Sequence, residues 1–210
     1  MLTGVGWLAG FIAYSWVSFG EILPGYYRDR SFRGSGQFLV ALAGNLLSPS
    51  RGLFVFVPIL LFVTFMVIRY WRELPYRTLA VLAIGVSCAH MLILTGDAKW
   101  WGGWSYGPRL STDLIPWFVL LAILSLRAFR DDVIRANVAE ESGKASFRVR
   151  DRAVVAGACL LLALGIAINA RGAWSWETTK WNASPSIDSH PERVWDWRAP
   201  QFLAGLVQRR

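Results

Sequence analysis

Cysteine, histidine and acidic residues are scarce in this chain of 210 residues, which has two cysteines, two histidines and 14 acidic residues. Cys88 and Cys159 both lie within long apolar runs, where cysteine acts as a small packing residue, so we expect no disulfide. His90 lies two residues from Cys88, a spacing that puts the two side chains on different faces of a helix. No part of the sequence has metal-ligand spacing. The sequence therefore predicts no metal site and no cofactor, and it does not show whether a divalent metal is required.

The excess of basic over acidic residues does not by itself indicate nucleic-acid binding. The chain has 22 Lys and Arg residues and a net charge of +8. These bases lie in loops between apolar runs, where they are typical of residues that set membrane orientation and contact anionic lipid headgroups. We therefore expect membrane lipids, and no nucleic acid, among its partners.

Long apolar runs dominate the sequence, and 54% of all residues are hydrophobic. A run of roughly 18–20 apolar residues is long enough to cross a bilayer as a helix. Five runs meet this length, at 2–19, 52–70, 78–95, 110–129 and 153–170. The apolar run 38–47 is too short to span and predicts an interfacial or re-entrant helix. The fold class expected is an all-α polytopic membrane protein, with a transmembrane region over 1–170.

The distribution of basic residues predicts an orientation for these spans. Loops 69–77 and 127–152 hold ten Lys and Arg residues, whereas the short loops on the opposite side hold six. The more basic side is expected to be cytoplasmic. The opposite orientation is favoured by the arginines at 28, 30 and 33 and by the six basic residues of the tail. The prediction places loop 100–109 and the tail 171–210 outside the cytoplasm.

Residues 100–109, with the sequence WWGGWSYGPR, form the most distinctive segment of the chain. Aromatic side chains favour membrane interfaces because each has an apolar body and a polar tip. The loop is therefore either a plain aromatic belt or a binding surface, on which a sugar stacks or which forms the walls of an acceptor groove. The aromatic candidates are Trp100, Trp101, Trp104 and Tyr106. Gly102, Gly103, Gly107 and Pro108 are expected to shape the loop rather than to touch a substrate.

Two arginines are the candidates for binding an anion at this face. Arg109 ends the aromatic loop, and Arg51 lies in a turn directly before the second predicted span. A guanidinium can hold a phosphate through two parallel hydrogen bonds. The alternative is that both arginines anchor the chain to lipid headgroups.

The segment after residue 170 changes character. It carries five of the twelve tryptophans, Trp174, Trp176, Trp181, Trp195 and Trp197. So many large apolar rings are unsuited to a disordered tail. We expect the tail to pack on the outer face, against the membrane surface or against loop 100–109.

Four segments together resemble bacterial membrane glycosyltransferases of the GT-C superfamily. Residues 46–54 (LLSPSRGLF), followed by Pro58, resemble an LxSPxRGLF…P turn of that family. Residues 101–109 (WGGWSYGPR) resemble its WxGGxxxGPR loop. Residues 16–26 (WVSFGEILPGY) and 193–203 (RVWDWRAPQFL) are similar to further segments of some members. The four segments extend over nearly the whole chain, and their order makes the resemblance stronger than any one of them.

The resemblance implies a transferase that takes a sugar from a polyprenyl-phosphate carrier, related to protein mannosyltransferases and the lipid A aminoarabinose transferase. Such enzymes act on the outer side of the bacterial plasma membrane and need a carboxylate as base. In the family that carboxylate lies in an early external loop, and this chain is similar to the C-terminal part only. We therefore expect no catalytic residue on this chain, with the base supplied by a missing N-terminal half or a partner subunit.

A second hypothesis, from a different functional class, is that the chain is a non-catalytic membrane subunit or scaffold that binds a partner through its Trp-rich tail. A transporter is a third reading, and it is disfavoured because the middles of the spans carry no Asp, Glu, Lys or Arg. The sequence identifies neither the sugar nor its acceptor.

Overall fold

The computed structural model describes residues 2–22, 37–140 and 149–207. Across those residues the chain is helical, without a strand. The end of the motif 16–26 and the arginines at 28, 30 and 33 lie outside the described residues, as do the loop 141–148 and the last three residues of the tail.

Most of the α-helices follow the apolar runs of the sequence, but the helix of the fourth run continues through polar residues to Glu140. Residues 127–140 are therefore helical, whereas the sequence predicts a loop over 127–152. The α-helices are α1 (Leu2–Phe19), α2 (Phe38–Leu47), α3 (Leu53–Phe56), α4 (Ile59–Arg69), α5 (Arg77–Thr95), α6 (Ile115–Glu140), α7 (Val149–Trp174) and α8 (Trp176–Lys180). Short 3-10 helices cover Arg109–Leu114, Pro191–Trp195 and Gln201–Leu203. The predicted short helix 38–47 has the same bounds in the structure, although its position relative to a bilayer stays a prediction.

Three helical segments of the described chain are long and apolar enough to cross a membrane: Arg77–Thr95, Arg109–Arg135 and Arg152–Trp174. They coincide with the third, fourth and fifth predicted spans. In the last of them only 6% of the most apolar stretch is buried within the chain. An apolar helix with this little burial needs a non-aqueous environment, because its side chains would otherwise be exposed to water.

The second predicted span, 52–70, is interrupted rather than continuous. Proline disfavours a helical conformation in the preceding residue, and Val57, before Pro58, leaves the helical region with φ −128° and ψ 64°. The amide of Leu60 donates to the carbonyl of Val57 instead of that of Phe56. Helix α4 therefore has only 11 residues. The hydropathy of this run is high on both sides of the break, which is why composition alone predicts a single span.

Asn169 on α7 compensates for this break. Its side-chain amide donates to the carbonyl of Phe56 at 2.8 Å and to that of Gly165 in its own helix at 2.8 Å. A freed carbonyl in an apolar environment costs free energy unless a neighbouring group satisfies it. Gly165 lets α7 approach closely, since a Cβ there would lie 3.2 Å from Pro58. The interrupted helix and α7 thus form one packed unit.

Helix α6 lies against both α4 and α5 and forms the centre of the helical layer. The core between them is apolar and includes Val63, Met66, Ala83, Leu121 and Leu124. A second cluster belongs to the loop and tail and contains Trp100, Trp101, Trp181, Ile187 and Val194. The tail is therefore folded onto the rest of the chain, beside loop 100–109.

Candidate functional site at the aromatic loop

Arg51 is the most buried charged residue of the region, with only 1% of its surface exposed. Its guanidinium uses all five of its N–H donors. It donates to the carbonyls of Ser50, Trp101 and Gly103 and to the side-chain oxygens of Asn182 and Gln201. A phosphate contact would require Arg51 to give up one of these bonds.

The partners of Arg51 are themselves held in a buried network, which we call the Arg51 hub: Arg51, Ser105, Asn182 and Gln201. The amides of Asn182 and Gln201 both donate to the carbonyl of Ser105, at 3.2 Å and 3.0 Å. The Gln201 amide also donates to the carbonyl of Thr178. The hub joins three segments that are distant in sequence: the turn before α3, loop 100–109 and the tail. Of the two surfaces expected for the tail, the membrane surface and loop 100–109, the structure shows contact with loop 100–109, and the outward position of both segments stays a prediction.

The charge of Arg51 has no carboxylate beside it in the hub. Burial, with smaller contributions from the nearby cations Arg193 and Arg109, lowers the pKa of Arg51 to about 9. The side chain therefore remains charged at neutral pH. Charged donors make hydrogen bonds that contribute more than those of neutral donors. Arg51 thus ties the loop to the tail through neutral oxygen acceptors.

The aromatic residues of loop 100–109 divide into buried and exposed members. Trp100 and Trp101 are buried and pack edge to face at 6.1 Å. Trp100 lies so close to Gly44 of α2 that a Cβ there would lie 2.3 Å from its ring. Trp104 is 57% exposed. Of the three tryptophans in this loop, Trp104 is thus the one whose ring can reach a ligand without rearrangement.

Tyr106 fixes the loop against α7. Its hydroxyl donates to the carbonyl of Ile168 at 2.6 Å, and its ring packs edge to face on Phe56 at 5.2 Å. Burial raises the pKa of Tyr106 to about 12, against smaller lowering effects from Arg171 and the backbone of Gly172. The phenol is therefore neutral, and a donor, throughout the physiological pH range.

The glycines of the loop have backbone conformations that side chains disfavour. Gly102, Gly103 and Gly107 all have positive φ, between 61° and 75°. Side chains strongly disfavour this region of backbone space. At Gly107 a Cβ would also lie 2.6 Å from the ring of Phe56. The loop therefore passes close to α3 at Gly107, and the next 3-10 helix begins two residues later, at Arg109.

Arg109 contrasts with Arg51. It is exposed, and within the part of the chain that the structure describes its side chain has no hydrogen bond or ion pair. It is one of the residues that line a groove of about 320 Å³ between α4 and α6. We call this cavity the Arg109 groove. Its apolar lining includes Leu53, Ile59, Leu60, Val63, Ile115, Phe118, Val119 and Ala122, and its polar lining includes Tyr106, Arg109, Ser111, Thr112 and Asn169.

The structure brings together several polar residues that sequence reasoning missed. Asn182 and Gln201 complete the Arg51 hub, and Asn169 lines the Arg109 groove. Asp188 accepts a hydrogen bond from the indole N–H of Trp101 at 3.2 Å and so places a carboxylate beside the loop. The sequence around an Asn or Gln does not indicate such a role, because the role depends on which distant segment packs against that residue in the fold.

Among the described residues, no group of three or more His, Cys, Asp or Glu side chains could hold a metal ion. Comparison of the chain with protein families, with curated proteins and with solved structures finds no match.

Proposed function

We propose that this chain is the lipid-carrier-facing, C-terminal part of an integral-membrane glycosyltransferase, which moves a sugar from a polyprenyl-phosphate donor to an extracytoplasmic acceptor. The observation that carries the proposal is the Arg109 groove. A polyprenyl phosphate has a long apolar chain and an anionic head. The groove is lined mainly by apolar side chains of two helices, and its lining includes the exposed guanidinium of Arg109, which has no acidic partner among the described residues.

In this proposal the two arginines have different tasks. Arg109 binds the donor phosphate, because its guanidinium is exposed and belongs to the lining of the groove. Arg51 holds the loop that carries Arg109, through its bonds to the carbonyls of Trp101 and Gly103. Trp104 is the aromatic surface on which the sugar stacks. The catalytic carboxylate comes from another part of the protein or from a partner subunit.

We also propose how the helices, the aromatic loop and the tail lie relative to the bilayer. All five predicted apolar runs contact the bilayer, in the plasma membrane of a bacterium, with α3 and α4 crossing as an interrupted helix. The aromatic loop and the tail face outward. The opposite side faces the cytoplasm. Its basic residues are Arg69 at the end of α4, Arg72 after that end, and Arg127 and Arg130 within α6.

Lipid binding by purified protein in detergent tests the proposal. Wild-type protein should bind a polyprenyl monophosphate more tightly than the matching polyprenol, which lacks the phosphate. Arg109→Gln should lose roughly tenfold in affinity for the phosphate lipid, since charged hydrogen bonds contribute about 1.5–3 kcal/mol, and should bind the polyprenol unchanged. Equal affinity for both lipids in wild-type protein would refute the proposal. Arg198→Gln, in an exposed arginine of the tail, is the matched control.

One specific observation supports the alternative hypothesis that the chain is a scaffold. Trp174, Trp176 and Trp197 are 89%, 69% and 62% exposed, which is unusual for tryptophan. A partner protein or the membrane interface would cover such rings. If Trp197→Ala abolished association with another membrane protein while Arg109→Gln changed nothing, the scaffold function would replace the transferase.

A further inference from the structure

A second cavity lies at the opposite end of α4 from the Arg109 groove. It has a volume of about 600 Å³ and lies where α4 passes into α5. Its lining combines the apolar residues Val67, Ile68 and Ile84 with Arg69, Trp71, Arg72 and Glu73. Neither the groove nor the aromatic loop uses any of these residues.

The charge of this cavity is positive. Glu73 is the acid in its lining, and its carboxylate pairs with Arg135 of α6 at 3.0 Å. Arg69 and Arg72 are both exposed, and in the described ranges neither is paired with an acid. The Arg69 guanidinium stacks over the ring of Tyr70 at 5.1 Å. The guanidiniums of Arg69 and Arg72 therefore share the cavity with Glu73, whose charge is already neutralised by Arg135.

The apolar part of the lining points to the kind of anion. Val67 and Ile68 belong to the last turns of α4, and Ile84 belongs to the membrane-length helix α5. Trp71, next to the two arginines, is a residue typical of the bilayer interface. An apolar wall that continues into a cationic rim fits a molecule with an acyl chain below its phosphate.

We propose that this cavity binds the headgroup of an anionic phospholipid, with Arg69 and Arg72 on the phosphate and Val67, Ile68 and Ile84 against the start of an acyl chain. The site stands independently of glycosyl transfer. It holds a structural lipid at the membrane face opposite the aromatic loop, where α4 and α5 meet.

The test reconstitutes the protein in nanodiscs made from an equimolar mixture of phosphatidylcholine and phosphatidylglycerol, followed by detergent extraction and mass spectrometry of the retained lipid. Wild-type protein should retain phosphatidylglycerol in preference to phosphatidylcholine. Arg69→Gln/Arg72→Gln should lower that preference roughly tenfold or more, because both guanidiniums that attract the anionic headgroup are lost. Arg69→Lys/Arg72→Lys should retain most of the preference, which separates the loss of charge from misfolding.

The matched control is Arg127→Gln/Arg130→Gln, which removes the same charge from exposed residues of α6 at the same end of the helices. It should leave the preference intact. An equal loss in both double variants would mean general surface attraction and would overturn the proposal, as would no loss in either. Displacement of the lipid by inorganic phosphate alone would also overturn it, since the apolar wall would then contribute nothing.

Discussion

Arg51 and Gln201 are joined by a buried hydrogen bond across 150 residues of sequence, from guanidinium to amide oxygen. Gln201 is fully buried, and its backbone amide also donates to the hydroxyl of Ser50 at 3.2 Å. The end of the tail is therefore fastened to the turn that begins the interrupted helix. This pairing explains why an arginine at the start of an apolar run need not contact lipid.

Arg51→Lys should release the tail from the loop. Lysine keeps the charge but has three donors where the guanidinium has five, so buried acceptors lose their partners. We expect a loss of about 2–3 kcal/mol in the free energy of unfolding, with new protease cleavage between residues 175 and 207. Limited proteolysis in detergent measures this. Arg198→Lys, in an exposed tail residue, should leave the cleavage pattern of wild type.

Gly172→Ala should separate loop 100–109 from α7. A Cβ at Gly172 would lie 2.3 Å from the ring of Tyr106, so the ring must move and its bond to Ile168 must weaken. We expect a clear fall in melting temperature. Gly157→Ala lies in the same helix with nothing within 4 Å, and alanine there should stabilise by up to about 1 kcal/mol. If both variants melted alike, the close contact of Tyr106 with α7 would be wrong.

Tyr106→Phe should lower stability by about 1 kcal/mol at neutral pH, through loss of the hydrogen bond to Ile168. The pH dependence follows from the raised pKa of Tyr106, about 12 when folded against an ordinary value of 10. Between those values the unfolded chain releases the proton while the folded chain retains it, so the contribution of Tyr106 to stability falls as pH rises. The difference between wild type and Tyr106→Phe should thus narrow above pH 10. Melting curves from pH 8 to pH 11 measure it, and a difference that stayed constant would contradict the burial of the phenol.

Asn169→Leu should destabilise the interrupted helix. The substitution is similar in size but leaves the carbonyl of Phe56 without the amide that the structure gives it. We expect a cost of about 1–2 kcal/mol, in the range of polar contacts within membranes. The melting temperature in detergent measures the effect. Asn169→Gln, which can still donate, should recover part of the loss, whereas equal melting of the Leu and Gln variants would mean that the amide contributes nothing.

Much of the helical layer could be predicted from the sequence, because hydropathy and helix-breaking residues act locally. The run 38–47 ends at Ser48-Pro49, and helix α2 has those bounds. Pro58 is visible in the sequence as well, but apolar residues on both sides conceal the break that it causes. Its effect becomes clear only where Asn169 reaches the freed carbonyl.

The site was less predictable, because its residues meet through contacts between distant segments. The sequence identifies Arg51 and Arg109 as equivalent candidates, since both are arginines at the edge of an apolar run. Only the fold distinguishes them, because it buries Arg51 under the tail and leaves Arg109 exposed in the lining of a groove. In the same way Gly44 is an ordinary helical residue in the sequence, although it is what allows Trp100 to be buried.

The most direct test of the central claim is photo-crosslinking with a polyprenyl phosphate that carries a photoreactive group in its apolar chain. We expect crosslinks to the lining of the Arg109 groove, in Ile59–Arg69 and in residues 115–122, and their loss in Arg109→Gln. Crosslinks confined to the outward surfaces of α1 or α7, unchanged in Arg109→Gln, would contradict that claim.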